Sequence, residues 1–256
     1  MFRGQVTGAS EKGQRLYQED RFLALAPELF GNFSGWLLAI MDGHNGSEVS
    51  EFCFKNLPDI FSRISNNGKL KVDEVMLKKI IRLLAKETSQ MSSGSTISLA
   101  YIDEVALVAR VAILGDSPVL VKDFTGKIII SPEHNVRTNL TEREAAIKKG
   151  AFYDPRGYVS NSKGYTQLSR SLGDQIFSDF ISREPEIYSV KLGPESFVLV
   201  ASDGVLDPSH GDSQSLMESI VGQIEKGATA EELVDNAIFT RRIEDNATAV
   251  LWRVPK

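Results

Sequence analysis

The 256-residue sequence predicts an α+β fold, with antiparallel sheets that carry helices on their outer faces. Three observations predict it. Strand-like runs come in groups separated by two helix pairs, without the strict β-α alternation of a parallel sheet. Asp123-Phe124-Thr125-Gly126 joins two such runs as a hairpin turn. The helical segments are amphipathic, each with an apolar stripe to lay on a sheet.

In order, strand-like runs cover residues 16–25, 35–41, 95–102, 106–114, 119–124 and 127–130, then 197–201 and 248–254. The first helix pair covers 47–56 and 72–91, the latter with Val75, Leu77, Ile80, Ile81 and Leu84 at helical spacing. Thr141-Glu142-Arg143-Glu144 reads as a capping box opening a short helix that Gly150 ends. The second pair covers 212–226 and 230–241, with Thr229 and Glu232 as a capping box. Residues 151–182 are rich in Gly, Ser, Asp and Tyr and lack periodicity, which predicts a surface loop or flap bordering an active site. No repeat or low-complexity linker divides the chain, so 1–256 is expected to form a single domain.

Composition narrows the functional classes. With 42% hydrophobic and 25% charged residues, the chain can bury a core without disulfides or a structural metal. A net charge of 29 − 34 = −5 argues against nucleic acid or an anionic membrane as partner. The single cysteine, Cys53, sits between Phe52 and Phe54 and reads as a small core residue. Residues 1–13 lack the apolar segment of a signal peptide. The longest apolar stretch, 105–114, is broken by Arg110 and too short to span a bilayer. A reducing, cytoplasmic location and a monomer are expected, and the sequons at Asn32, Asn139 and Asn246 then arise by chance.

The chemistry lies in four acidic motifs: Glu19-Asp20, Asp42-Gly43-His44, Ser202-Asp203-Gly204 and Asp245-Asn246. Each stands at the edge of a strand-like run, where a buried carboxylate needs a counter-ion. Stations so far apart in sequence point to one shared divalent cation site. Oxygen-only ligands select Mg²⁺ or Mn²⁺ over zinc, and His44, His134 and His210 have no ligand spacing. Two such cations sharing a water would hold a hydroxide against an electrophile such as phosphorus. In an extended strand Arg15 and Glu19 would share a face, placing a guanidinium to grip a phosphate dianion beside the metals. His44, two residues past Asp42, is placed to protonate a departing alkoxide. Each piece alone has an ordinary explanation as a turn, a strand end or a solvated side chain; their joint occurrence carries the argument.

These residues belong to a longer ordered set. It comprises Arg15-x-x-x-Glu19-Asp20, Asp42-Gly43-His44-x-Gly46, Gly94-Ser95-Thr96, Gly115-Asp116-Ser117 and Glu133-His134, then Ser169-Arg170-Ser171-Leu172-Gly173-Asp174, Glu184-Pro185-Glu186, Ser202-Asp203-Gly204-Val205-Leu206-Asp207 and Asp245-Asn246-x-Thr248. The set resembles the metal-dependent serine/threonine protein phosphatases of the protein phosphatase 2C family (PP2C, also called PPM), from Arg15 to Val254.

The resemblance implies a central antiparallel β-sandwich flanked by α-helices on both sides, a four-layer α/β/β/α arrangement. It implies that Asp42 bridges two metals, that Asp203 and Asp245 complete one site, and that Glu19 and the carbonyl of Gly43 complete the other. Asp20 would hold metal-bound water, Arg15 would bind the substrate phosphate, and His44 would be the general acid. Asp116 and Asp207 fall where the family binds a third, weaker metal. The implied activity is hydrolysis of phosphoserine and phosphothreonine in proteins by water activated by two Mg²⁺ or Mn²⁺ ions, without a phosphoenzyme.

The chain departs from the family pattern at Pro118, at Asn45 and in the polar stretch Gly164-Tyr165-Thr166-Gln167-Leu168, none of which removes a proposed ligand. Trp36 and Trp252 lie outside the flap-like region, so the tryptophan-mediated receptor lock of some plant relatives is not supported. Two alternatives stay open: a catalytically weak regulatory or binding module, and a phosphatase of small phosphate esters.

Overall fold

The computed structural model describes residues 3–27, 35–207 and 212–255. The chain opens with β1 (Gln5–Glu11), β2 (Arg21–Leu25), β3 (Gly35–Met41) and the two-residue β4 (Gly43–His44), then helices α1 (Glu48–Ile64) and α2 (Glu74–Glu87). Next come β5 (Gly94–Ser95), β6 (Ile97–Asp103), β7 (Val108–Leu114), β8 (Val119–Lys122), β9 (Ile128–Ile130) and α3 (Leu140–Lys148). Four short strands follow: β10 (Phe152–Asp154), β11 (Tyr158–Asn161), β12 (Gly164–Thr166) and β13 (Leu172–Gly173). The chain closes with β14 (Glu186–Lys191), β15 (Phe197–Ala201), α4 (Ser213–Glu225), α5 (Ala230–Asp235) and β16 (Ala247–Arg253).

Two five-stranded sheets, ordered β1-β16-β15-β8-β9 and β14-β7-β6-β3-β2, are antiparallel throughout. The alternation of side chains along each strand assigns the faces. In β3, Leu38 and Ile40 join the core between the sheets, whereas Leu37, Ala39 and Met41 pack toward α1 and α2. In β15, Val198 and Val200 face the first core, while Phe197, Leu199 and Ala201 pack toward α4 and α5. The order of layers is therefore helix, sheet, sheet, helix. Because both faces are buried, a one-residue slip would exchange the two cores, and each misplaced large side chain would forfeit about 1.5–3 kcal/mol. Trp252 anchors the inner core and donates its indole N–H to Glu104 Oε1 at 3.0 Å.

Antiparallel pairing also decides where the acidic motifs go. Arg21 pairs with Met41, Ala201 with Ala249, Glu11 with Ala247 and Ile97 with Leu114. The residues just before one strand thus lie beside those just after its neighbour. Glu19-Asp20, Asp42, Asp116, Asp203 and Asp245 are all delivered to one rim of the sandwich by this register.

The structure corrects several boundaries. Residues 12–20 form turns and bends rather than strand, so the shared strand face expected for Arg15 and Glu19 does not exist. Helix α1 runs eight residues beyond the expected 56, through Pro58. Asp73 caps α2 by accepting from Met76 N at 2.8 Å. Asn139, not Thr141, caps α3, and Glu142 is instead buried. The expected 230–241 helix ends at Asp235 and continues as a π-turn over Asn236–Thr240, although its Thr229–Glu232 capping box is present. Residues 151–182 are not an irregular loop: β10, β11 and β12 pair there as a small sheet over Val159, Phe177 and Phe180. Cys53 is fully buried in the α1 core, as expected. No described helix is long and apolar enough to cross a membrane.

Candidate active site

The rim is built by hydrogen bonds between the two sheets. Thr248 Oγ1 of β16 donates to Asp20 Oδ2 at 2.7 Å, and Glu19 N donates to Asn246 Oδ1 at 2.9 Å. Asn246 Nδ2 in turn donates to the carbonyls of Lys12 and Tyr17, which fixes the β1–β2 turn. Ser202 N donates to Thr248 O, tying the turn that carries Asp203 to the strand after Asp245. On the other sheet, Asp42 N donates to Thr96 Oγ1 at 3.2 Å and Thr96 N donates to Asp42 O at 2.9 Å. Two glycines permit close approach: a Cβ at Gly204 would collide with the Asn246 carbonyl, and one at Gly43 with the Glu19 carbonyl and Ser50 Oγ.

The electrostatics is strained. The Asp20 carboxyl is pushed up to about 6 by burial, with the Asp245 charge adding, against hydrogen bonds from Thr248 and Ser202. Burial raises Asp42 well above the usual carboxylate range, and the charges of Asp20, Asp203, Asp116 and Asp245 raise it further. Asp203 is raised in the same way, by burial and then by Asp116, Asp245, Asp207 and Asp20. Burial lifts Asp116 too, although Asn135 Nδ2 donates to it at 2.9 Å. Asp42 and Asp203 each keep some exposed surface, so crowding by protein rather than full occlusion desolvates them. Carboxylates that raise one another in this way resist being charged together, and a bound cation reverses that balance.

That donor set fits a hard divalent cation: it is all oxygen, mutually repelling and gathered on one edge. Among the described residues, however, no three Asp, Glu, His or Cys side chains close into a ready-made cage. Glu19 is partly engaged elsewhere, its Oε1 accepting from Gly46 N at 2.6 Å.

Arg15 stands at the edge of the cluster, half exposed, with Nη2 on Asp245 Oδ2 at 2.5 Å. It shares a cavity of about 610 Å³ with Asp203, Asp207, Arg241 and Asp245. His44 comes from the three-stranded sheet β13-β5-β4, and its Nε2 lies 2.8 Å from Asp174 Oδ2. Burial opposes the imidazolium, but the hydrogen bond and charge of Asp174 leave His44 above its ordinary value. His134 is elsewhere: it is buried, accepts from Gly115 N at Nδ1, and is pushed down to about 4 by burial. His210 and Asn32 lie outside the described residues.

Sequence reasoning assigned no role to Asp174, Thr248 or Asn246. All three lay inside quoted motifs, but only the strand pairing reveals what they touch.

Comparison with known proteins now adds to the geometry. The family model described as protein phosphatase 2C matches residues 5–247. A relative from rice, "Probable protein phosphatase 2C 45", is 27% identical over 249 residues, covering 96% of this chain and 86% of its own. "Protein phosphatase fem-2" of Caenorhabditis elegans is 29% identical over 262 residues, and the match covers 96% of this chain but 58% of that protein. Against "Probable protein phosphatase 2C 11" of Arabidopsis thaliana the chain spans 65% of the relative at 28% identity. Among solved structures, a C. elegans sex-determining protein superposes with TM-score 0.76 at 25% identity, covering 98% of this chain and 65% of that one. The Mycobacterium tuberculosis serine/threonine phosphatase PstP and a Toxoplasma gondii phosphatase share the fold, with TM-scores 0.66 and 0.77 at 17% and 18% identity and coverages of 99% and 99% here and 99% and 93% there. A further PstP catalytic-domain structure, TM-score 0.64 and 16% identity over 99% of both chains, was solved in complex with two manganese ions.

The fold is therefore that of the protein phosphatase class. The chain belongs to the protein phosphatase 2C family.

Proposed function

We propose that this chain hydrolyses phosphoserine and phosphothreonine in proteins, dependent on Mg²⁺ or Mn²⁺ and without a phosphoenzyme. One observation carries the reading: the antiparallel register of Arg21 with Met41, Ile97 with Leu114 and Ala201 with Ala249 brings Asp20, Asp42, Asp116, Asp203 and Asp245, far apart in sequence, to a single rim. Glu19, Asp42, the Gly43 carbonyl, Asp203 and Asp245 would hold two cations, and Asp116 with Asp207 a third. When bound, the cations supply an activated water and neutralise charge developing at phosphorus.

The chain's own residues do the rest. The Arg15 guanidinium, held at the rim by Asp245, binds the phosphate dianion, which competes with that carboxylate for its donors. Asp20, fixed by Thr248 Oγ1, would hold water beside the metal site through its remaining carboxylate acceptor positions. His44 donates a proton to the departing alkoxide oxygen. The reading extends to one domain over 1–256, a substrate-selecting role for the 151–182 region, and a cytoplasmic monomer acting on phosphoproteins.

The test is a phosphatase assay with and without Mn²⁺ on phosphoserine, phosphothreonine and phosphotyrosine peptides. Wild type is expected to act on the first two only with metal, and Asp42→Asn and Asp203→Asn to fall to background. Full activity in either variant, or metal-independent turnover, overturns the reading.

A further inference from the structure

We propose that Asp174 is a positioning residue for His44, and that the small sheet β13-β5-β4 exists to build this pair. The inference deepens the proposed reading of His44 as proton donor and rests on it.

Asp174 is fully buried and reaches His44 Nε2 with Oδ2 at 2.8 Å, while Ser171 Oγ donates to the same oxygen at 2.6 Å. Its second oxygen, Oδ1, is buried without a hydrogen-bond partner among the described residues. A carboxylate placed so is expensive, and a neutral residue would be the cheaper choice for packing alone. Asp174 also adopts a left-handed backbone, φ 51°, where side chains other than glycine are disfavoured.

The surroundings are arranged around this contact. Gly94 pairs with Gly173 on one side and His44 on the other, so β5 lies between the two partners. A Cβ on Gly94 would collide with both His44 Nε2 and Asp174 Oδ2, so only glycine leaves room for their contact. Arg183 clamps the turn, its guanidinium donating to the carbonyls of Ser171 and Gly173, and Asp174 N donates to Ser93 O at 2.8 Å. A buried acceptor on one imidazole nitrogen fixes the ring's orientation and assigns that nitrogen a proton. With Nε2–H held by Asp174, Nδ1–H is the donor left for the substrate. As the P–O bond breaks, its electron pair stays on the serine or threonine oxygen and the Nδ1 proton moves there, giving the free alcohol.

The experiment compares a phosphothreonine peptide with p-nitrophenyl phosphate, whose leaving group departs without a proton. For Asp174→Asn, kcat on the peptide is expected to fall by about 10- to 100-fold, part of the roughly 10²–10⁴ that a positioned general acid contributes. KM and the p-nitrophenyl phosphate rate should stay within about threefold. Gly94→Ala, which leaves Asp174 in place, should show the same split and decides the matter if Asp174→Asn does not fold. Adding Asp174→Asn to His44→Gln should cost nothing further.

Equal slowing of both substrates by both variants, or additive losses in the double variant, overturns the proposal. His44→Gln run alone separates the two claims. If it slows both substrates alike, the proton-donor reading of His44 fails; if it shows the split and the other variants do not, only the role of Asp174 falls.

Discussion

Replacing Asp20 by asparagine should stabilise the protein in EDTA while removing its activity. The Asp20 carboxyl is buried and pushed from its ordinary 3.8 to about 6, so folding disfavours its charged form. For a group raised in the folded state, the contribution to stability is complete below the unfolded value and is lost as pH rises through the folded one. Taking 3.8 and about 6 as the two values, the penalty from Asp20 is about 0.5 kcal/mol at pH 4, about 1.6 at pH 5 and about 3 at pH 7.5. The wild-type curve alone would mislead, because His134 works in the opposite sense. Its imidazole is pushed down to about 4, so it stabilises above the unfolded value of 6.5 and loses that contribution as pH falls. The difference between wild type and Asp20→Asn cancels His134. Urea unfolding in EDTA, followed by the fluorescence of buried Trp252, should therefore show the variant ahead by about 3 kcal/mol at pH 7.5 and by well under 1 at pH 4. Excess Mn²⁺ should narrow or reverse the gap, because ligand binding to the folded wild type adds stability by mass action. A difference that is constant with pH, or that grows toward acid, would refute the charge-repulsion account of the rim.

Two further outcomes follow from groups away from the rim. The Cys53 thiol is buried and pushed up to about 12, which leaves a thiolate fraction of about 10⁻⁴ at pH 8. Native protein should resist a thiol-disulfide reagent that labels the urea-unfolded chain at once; rapid stoichiometric labelling of folded protein would contradict this. Glu142 is buried and takes two bonds from Arg170, at 3.0 Å and 2.5 Å, and one from Ser169. Glu142→Ala strands the partly buried guanidinium and should cost roughly 3 kcal/mol in chemical denaturation; a loss under about 1 kcal/mol would show that the pair contributes little.

The legible parts of the sequence were those where one physical signal dominates. The run from Phe197 to Ala201 is uniformly apolar and forms a strand over the expected residues, because both of its faces are buried. The Thr229–Glu232 capping box is local chemistry and is present as read. Gln5–Glu11 carries little strand signal because six of its seven residues are polar or small, yet pairing with β16 makes it a strand. Glu186–Lys191 hid for a similar reason, as an edge strand with an exposed face. At 151–182, Gly and Asp suggested irregularity, but tertiary contacts with Phe177 and Phe180 order three short strands there. The acidic motifs were visible because carboxylates at the ends of apolar runs are costly. Their hydrogen-bonding partners Thr248 and Asn246 are less so, since a hydroxyl in a strand or an amide just before one says nothing until its neighbour in the fold is known.

The interior position of β16 in its sheet has a consequence for synthesis. This strand is made after the other fifteen described here, yet it sits between β1 and β15, and Asp245 lies two residues before it. A nascent chain lacking those residues has β1 cut off from β15, β8 and β9, and one rim carboxylate missing. Hydrolytic competence would then arrive in a single late event, when the segment threads between two partners already waiting, and ribosome-bound fragments would be inert toward phosphate.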